Sequence, residues 1–367
     1  MTGDSRLVEL LLELARLDGR SGKEKPVAEY VIRFLRRLGL SAAADGTRGR
    51  TGSDTGNVIA RYKGGGDFAL LAHMDSARST KDTRAIVSSR RIASDGNGQL
   101  GVDDRAGIAA ILHAVETAMR RRPAVKPFTA AFTVMEETTM GGSVNLRLGR
   151  KIRAGFLFDS SLDPGCFAFR SPGAMSYVAR VIGKASHAGI APEKGINAVA
   201  IAARAVTRLR QGRLDRETTA NVGIIQGGEA TNVVPPSASV EGEVRSMDPA
   251  KVVRELARVR SAFAAAVRAG GGRLRFESHW EFKPYRLAED SFVFQAAAAA
   301  IRRVGLEPRP VPSHGGSDAN QLNAAGVPSV NFGTGARNPH SNEEYILREH
   351  LRRSSAIALA LIADGRP

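Results

Sequence analysis

Four short, nearly continuous apolar runs restrict what this chain can become: Phe68-Ala-Leu-Leu-Ala72, 128–135, 155–158 and 328–332. Runs of this length without polar alternation are the pattern of parallel strands buried on both faces. A sheet buried in that way needs helices on both sides. Helical patterns are indeed interleaved with the runs, at about residues 4–18, 25–38, 106–119 and 292–304. In the second of these, Val27, Tyr30, Val31, Phe34 and Leu35 recur at helical spacing until Gly39 stops it. An alternating stretch at 56–63 adds a strand. The expected fold class is α/β.

Between about 174 and 282 the order changes to strand 175–182, helix 197–209, strand 220–226, strand 238–244, helix 249–268 and strand 274–282. This β-α-β-β-α-β order is that of a ferredoxin-like unit. A stretch of roughly 110 residues suffices for an independent domain. The expected organisation is therefore a discontinuous catalytic domain formed by 1–173 and 284–367, interrupted by an inserted α+β lid at 174–283.

Composition narrows the function classes. The chain has 367 residues and 43% apolar content, ordinary for a globular protein, and its one cysteine, Cys166, excludes an internal disulfide. No stretch approaches the ~18 apolar residues of a membrane span. The first helical pattern mixes Asp4, Glu9 and Glu13 into its leucines, so it reads as an amphipathic helix and not as a signal sequence. These features give the expectation of a cytoplasmic protein with no membrane partner. The 53 basic and 37 acidic side chains leave a net charge of +16. The arginines are dispersed, however, and the longest basic cluster is only Arg120-Arg121-Arg122, which argues against nucleic acid as the main partner.

Each of the four apolar runs leads into residues that bind metal. The first enters His73-Met-Asp75, the second Glu136-Glu137, the third Asp159, and the fourth a glycine-rich loop reaching His340. A further carboxylate, Asp103 in Gly101-Val-Asp-Asp-Arg-Ala-Gly107, stands where a helix begins. Ligands in open α/β sheets gather beyond the carboxyl ends of the strands, so these groups can converge. Singly, each has an ordinary explanation: a hydrogen-bonded loop residue, a helix N-cap, a solvated turn. Jointly, two imidazoles and three or four carboxylates at one end of a sheet repel one another unless a cation joins them. The donor set of His, Asp, Glu, Asp and His suits zinc, with cobalt or manganese as substitutes.

These residues also carry a family resemblance. His73-Met-Asp-Ser, 96–107 (GNGQLGVDDRAG), Met135-Glu-Glu, Phe158-Asp159, 186–198 (SHAGIAPEKGINA), Gly315-Gly-Ser-Asp318 and 338–346 (NPHSNEEYI) resemble the peptidase T group of tripeptide aminopeptidases. More widely they resemble the dinuclear-zinc exopeptidase and deacylase superfamily, which includes glutamate carboxypeptidase, aminoacylase and succinyl-diaminopimelate desuccinylase. The motifs run in the expected order along nearly the whole chain.

The resemblance implies a zinc-exopeptidase-like mixed sheet sandwiched by helices, and two Zn2+ per subunit. Asp103 bridges the two metals, His73 and Asp159 hold one, and Glu137 and His340 hold the other. Asp75 accepts the second N–H of His73 and fixes its tautomer. The peptide bond after the bridging aspartate is cis in the family, which makes Asp103-Asp104 the candidate. On an extended segment adjacent side chains point in opposite directions, so one of the pair can bind metal and the other take a proton. The resemblance implies that Glu137 is the ligand and that Glu136 takes the proton of the attacking water and passes it to the leaving amine.

In the lid, His187 resembles the histidine that crosses to the partner's site in dimeric relatives and stabilises the oxyanion, which implies a homodimer formed through the lid. Asn232 and Arg245 resemble residues that hold the substrate carboxylate. Two departures adjoin the metal ligands: Ser160-Ser161 stand where the family usually has glycine after the aspartate, and Thr138-Thr139-Met140 separate Glu137 from Gly141-Gly142. The expected activity is cleavage of an amide bond in a short peptide. The alternatives are an N-acyl amino acid deacylase or a carboxypeptidase of the same superfamily, and a non-catalytic basic binding protein on a hydrolase fold.

Overall fold

The computed structural model describes residues 3–121 and 124–364. Met1, Thr2, Arg122 of the basic cluster, Pro123 and the last three residues lie outside that range. The chain divides into two compact units: Met1–Arg170 with Arg286–Ser313 and Ser317–Pro367, and Ser171–Tyr285 with His314–Gly316.

The first unit is built on a nine-stranded mixed sheet. Four parallel strands form its centre, in the order Phe128–Thr133, Phe68–His73, Ala154–Ser160 and Ser329–Gly333. These are the four apolar runs of the sequence. Every residue of Phe68–His73 and of Phe128–Thr133 is buried, as strands covered on both faces must be. The sheet is mixed because Val58–Tyr62 pairs antiparallel with Phe128–Thr133 on one side, and Cys166–Ser171 pairs antiparallel with Ser329–Gly333 on the other. Helices Val102–Arg121 and Phe292–Arg303 lie against the central strands. An aromatic group fills the interior, with Phe158 and Phe332 at 5.1 Å between ring centroids and Phe167 against Phe294 at 5.0 Å. Each ring fully buried there contributes on the order of 1.5–3 kcal/mol.

One glycine determines how close helix and sheet can come. A Cβ at Gly107, on the first turns of Val102–Arg121, would collide with the Phe158 carbonyl and the Asp104 carboxylate. The helix backbone therefore rests directly on the strand that carries Asp159, and its first residues are held at the strand ends. Only glycine permits that approach.

The second unit is an antiparallel sheet whose four long strands run in the spatial order Thr218–Gly227, Ser237–Ser246, Gly173–Ile182 and Arg273–Phe282, with the short Gly212–Arg213 at the edge. Numbered along the chain this is 2-3-1-4, the ferredoxin-like order. Helices Ala198–Val206 and Pro249–Gly270 cover one face through Ile201, Val252, Val259 and Phe263, which meet Tyr177, Val240 and Val244 from the sheet. Local chemistry sets the helix ends. Asn197 and Asp248 accept N–H bonds from Ala200 and Ala250, and Gly271 closes the longer helix in a left-handed conformation.

Candidate metal centre

The carboxyl ends of the four parallel strands bring His73, Asp103, Glu136, Glu137, Asp159 and His340 into one cluster. His73 ends its strand and is 2% exposed, with Nε2 at 3.1 Å from Asp103 Oδ1 and 3.6 Å from Asp159 Oδ1. On the other side of Asp103, His340 Nε2 lies 3.7 Å from Oδ2 and 2.9 Å from Glu137 Oε2. Asp103 thus offers one carboxylate oxygen to each imidazole. The Asp103-Asp104 peptide bond is cis, and both residues depart from helical geometry at the start of Val102–Arg121.

Asp75 is 0% exposed and meets four donors or ring atoms. Its backbone oxygen and Oδ1 face His73 Nδ1 at 3.1 and 3.3 Å, its carboxylate accepts the N–H groups of Glu136 and Glu137 at 3.0 Å each, and Ser21 Oγ donates at 2.6 Å. With Nδ1 engaged, Nε2 of His73 is the nitrogen turned to the cluster.

The Glu136-Glu137 pair differs from the sequence reading. It does not lie on an extended segment: Met135 turns left-handed and Glu136–Thr139 forms a short helix. The strand ends at Thr133, and the chain must turn so that two successive N–H groups reach Asp75. Neighbours on a helical turn diverge by about 100°, so the two carboxylates still separate. Glu137 meets His340, and its Oε1 is buried without a hydrogen-bond partner among the described residues.

The donor chemistry fits divalent metal. Ligand atoms of His73, Asp103 and Glu137 lie within 4.8 Å of one another, as do those of His73, Asp104 and Asp159. Asp104 belongs to the second group by distance only, because its carboxylate already accepts the His73 and Gly107 N–H groups at 3.1 and 3.0 Å. The orphaned Glu137 oxygen and the facing Asp103 oxygens are atoms that a cation would satisfy. Crowding and burial also bias two of these acids toward their neutral forms. Burial, followed by the charges of Asp159 and Glu137, pushes Asp103 up to about 6 despite the bond to His73. Burial likewise pushes Glu136 well above the usual carboxylate range, reinforced by Asp159, Asp318 and Glu137. Burial opposes charge on His73, yet its bonds to Asp103, Asp159 and Asp75 raise it well above an ordinary histidine. Metal binding to such a cluster releases protons.

The lid residues belong to the second unit. His187 is exposed, with Nδ1 accepting the N–H groups of Gly189 and Ile190 at 3.2 Å, so Nε2 is the nitrogen left for other work. Its segment bridges to Val233, and the Asn232 carbonyl accepts Ala188 N–H at 2.8 Å, which makes His187 and Asn232 neighbours in the fold. Arg245 is not an open fork. Its guanidinium is bidentate to Glu243 at 2.7 and 2.9 Å and lies over the Phe282 ring. Cys166 is buried in its strand, and burial pushes its thiol up, as expected of an inert side chain.

Sequence reasoning missed several supporting residues. Glu24, 0% exposed, accepts Met135 N–H at 3.1 Å and Ser53 Oγ at 2.5 Å, so it holds the turn before Glu136. Asp318 accepts Thr133 Oγ1 at 2.5 Å and also the Ser143 hydroxyl. Asn331 pairs with Asp159 through both its amide groups at 3.1 Å. Asp318 ends one of the sequence motifs; Glu24 and Asn331 carry no local signal.

A histidine and carboxylate cluster at the strand ends of an α/β sheet, interrupted by a ferredoxin-like unit, defines a metal-dependent hydrolase of the metallopeptidase class. Residues 170–270 match the peptidase dimerisation domain of the M20 family. The chain is 30% identical to the uncharacterised protein YqjE of Bacillus subtilis strain 168 over 100% of both chains. It superposes on the aminopeptidase PepT of Bacillus cereus ATCC 10987 with a TM-score of 0.88 at 30% identity, covering 98% of each chain. A tripeptidase of Staphylococcus aureus gives a TM-score of 0.91 at 28% identity, over 98% of this chain and 97% of that one. The chain belongs to the M20 peptidase family, with peptidase T enzymes among its relatives.

Proposed function

We propose that this chain is a two-metal aminopeptidase that removes the N-terminal residue of short peptides, with two Zn2+ as its metals. The observation that carries the reading is Asp103, whose two oxygens face His73 and His340 separately, at 3.1 and 3.7 Å. His73, Asp103 and Asp159 would hold one metal; Asp103, Glu137 and His340 would hold the other. When bound, the pair polarises the scissile carbonyl and lowers the pKa of the attacking water.

The remaining steps fall to side chains. Glu136, which stands beside the cluster but in neither metal grouping, takes the proton of the attacking water as a carboxylate and delivers it to the leaving amine. Asp75 keeps His73 in one tautomer. His187 donates from Nε2 to the developing oxyanion across a homodimer formed through the lid, and Asn232 and Arg245 receive the substrate carboxylate. The match to a dimerisation domain supports the dimer. The names of the two structural relatives, an aminopeptidase and a tripeptidase, support the choice of substrate. No helix among the described residues is long and apolar enough to cross a membrane; the cytoplasmic location is part of the proposal and rests on the sequence expectation.

The test is metal analysis followed by a screen of tripeptides, dipeptides and N-acyl amino acids with the metal-loaded protein. The proposal expects two divalent ions per chain and fastest turnover of a tripeptide with a free amino terminus. Preference for N-acyl amino acids would make it a deacylase; release of the C-terminal residue would make it a carboxypeptidase. A protein that binds no divalent metal under any loading condition refutes the central reading.

A further inference from the structure

The loop carrying His340 has two anchors that the proposed chemistry does not use. Glu344, four residues on, is 0% exposed and accepts Gly101 N–H at 2.6 Å and Asp103 N–H at 3.0 Å. Its own carbonyl accepts Ser94 N–H at 2.9 Å, and the strand that follows it, Tyr345–Leu347, pairs with Arg91–Ser94. One buried side chain therefore joins the His340 loop to the backbone of the residue facing both histidines. On the solvent side, Arg78 Nη2 donates to the His340 carbonyl at 2.7 Å and to Asn342 Oδ1 at 3.1 Å. Arg78 is held in turn through its N–H to Gln99 Oε1 at 3.0 Å.

The loop needs such anchors. Asn338 and His340 both have left-handed backbone, with φ of 51° and 62°, a conformation unfavourable for non-glycine residues that their surroundings must offset. The two imidazoles are also held unequally. His73 is 2% exposed and locked by Asp75, whereas the His340 side chain is 48% exposed. We infer that Glu344 and Arg78 are positioning residues that hold His340 against Glu137 and Asp103, and that they control chiefly the retention of the metal on that side. The inference rests on the two-metal reading above.

The buried contacts dominate. The Glu344 carboxyl accepts two backbone N–H groups away from water, where losing an acceptor leaves buried donors unpaired, whereas the exposed Arg78 competes with solvent. Outer residues of this kind typically change metal affinity about 10–100-fold. Glu344 belongs near the top of that range and Arg78 near the bottom.

The experiment titrates the metal-free full chain with Zn2+ by calorimetry, for wild type, Glu344→Gln and Arg78→Ala, with circular dichroism of each metal-free form. The expected result is two sites in wild type and, in each variant, one site weakened several-fold more than the other. Wild-type affinity at both sites in both variants overturns the inference. So does parallel loss of both sites, which is the mark of general disruption. Should Glu344→Gln not fold, the exposed Arg78 variant decides. A wild-type chain that takes up no metal removes the two-metal reading and this inference with it.

Discussion

Asp75 accepts the backbone N–H of Glu136 at 3.0 Å while its own carbonyl faces Nδ1 of His73 at 3.1 Å. The two sides of the proposed reaction, the metal ligand and the proton acceptor, are thus set by one buried residue. Ser21 completes the arrangement from the other end of the carboxylate, and burial is outweighed by these donors and by His73, so Asp75 sits below the usual aspartate range.

Asp75→Asn tests this link. Asparagine keeps one carbonyl oxygen but presents an amide N–H2 where a donor now points in, so part of the network must break. We predict a loss of about 10–100-fold in affinity for the metal at His73, accompanied by lower kcat. Metal titration beside steady-state kinetics reads both. Wild-type metal binding in this variant would remove Asp75 from the role given to it.

Glu136→Gln separates proton transfer from metal binding. Neither of the metal groupings includes Glu136, so the variant should retain both ions. Turnover should fall by several orders of magnitude, in keeping with the ~10²–10⁴-fold typical of general acid–base catalysis and with the loss of both proton steps. Metal content by elemental analysis and kcat on the best peptide decide the matter; near-normal turnover would falsify the assignment.

Much of this was legible in the sequence because buried parallel strands advertise themselves. Phe68–His73 and Phe128–Thr133 are buried along their whole length, and the chemistry follows at their carboxyl ends, so His73, Asp159 and the Glu136-Glu137 pair could be placed from sequence. The ferredoxin-like order at 174–283 was equally plain. What local pattern could not supply was backbone direction and long-range pairing. The helical turn at Glu136 depends on Asp75, 61 residues away in sequence. Glu24 meets Met135 across 111 residues. Such contacts have no local signature.

Gly107 offers a steric test of how the cluster is assembled. Alanine there places a methyl group against the Phe158 carbonyl and the Asp104 carboxylate, with no flexible side chain alone able to yield. The helix must move off the strand, and overpacking of this sort typically costs about 1–3 kcal/mol. We predict for Gly107→Ala a lower thermal midpoint and weakened metal binding together. Unchanged melting would show that the helix start has more freedom than this contact implies.

The lid residues should behave differently from the cluster. His187→Ala is expected to keep both metals and to lose about 10²–10³-fold in kcat, the usual scale for removing an oxyanion donor. Arg245→Ala should act mainly on KM, and less than an open guanidinium would, because Glu243 already occupies both arms of its fork. Measuring kcat and KM on one tripeptide for both variants separates the roles. Identical effects on kcat would merge them.

The net charge of +16 gives the last prediction. Two divalent cations would balance the formal charges of Asp103, Glu136, Glu137 and Asp159, so the excess of basic side chains lies outside the cluster. Charge spread over a surface acts at a distance on encounter and is screened within about 8–10 Å at ordinary ionic strength. Acidic peptides should therefore show a kcat/KM that falls as salt is raised from low concentration, with the loss mainly in KM. A neutral peptide of the same length should change little. Equal salt dependence for the two peptides would mean that the basic surface does not guide substrate and must be explained by solubility or by another partner.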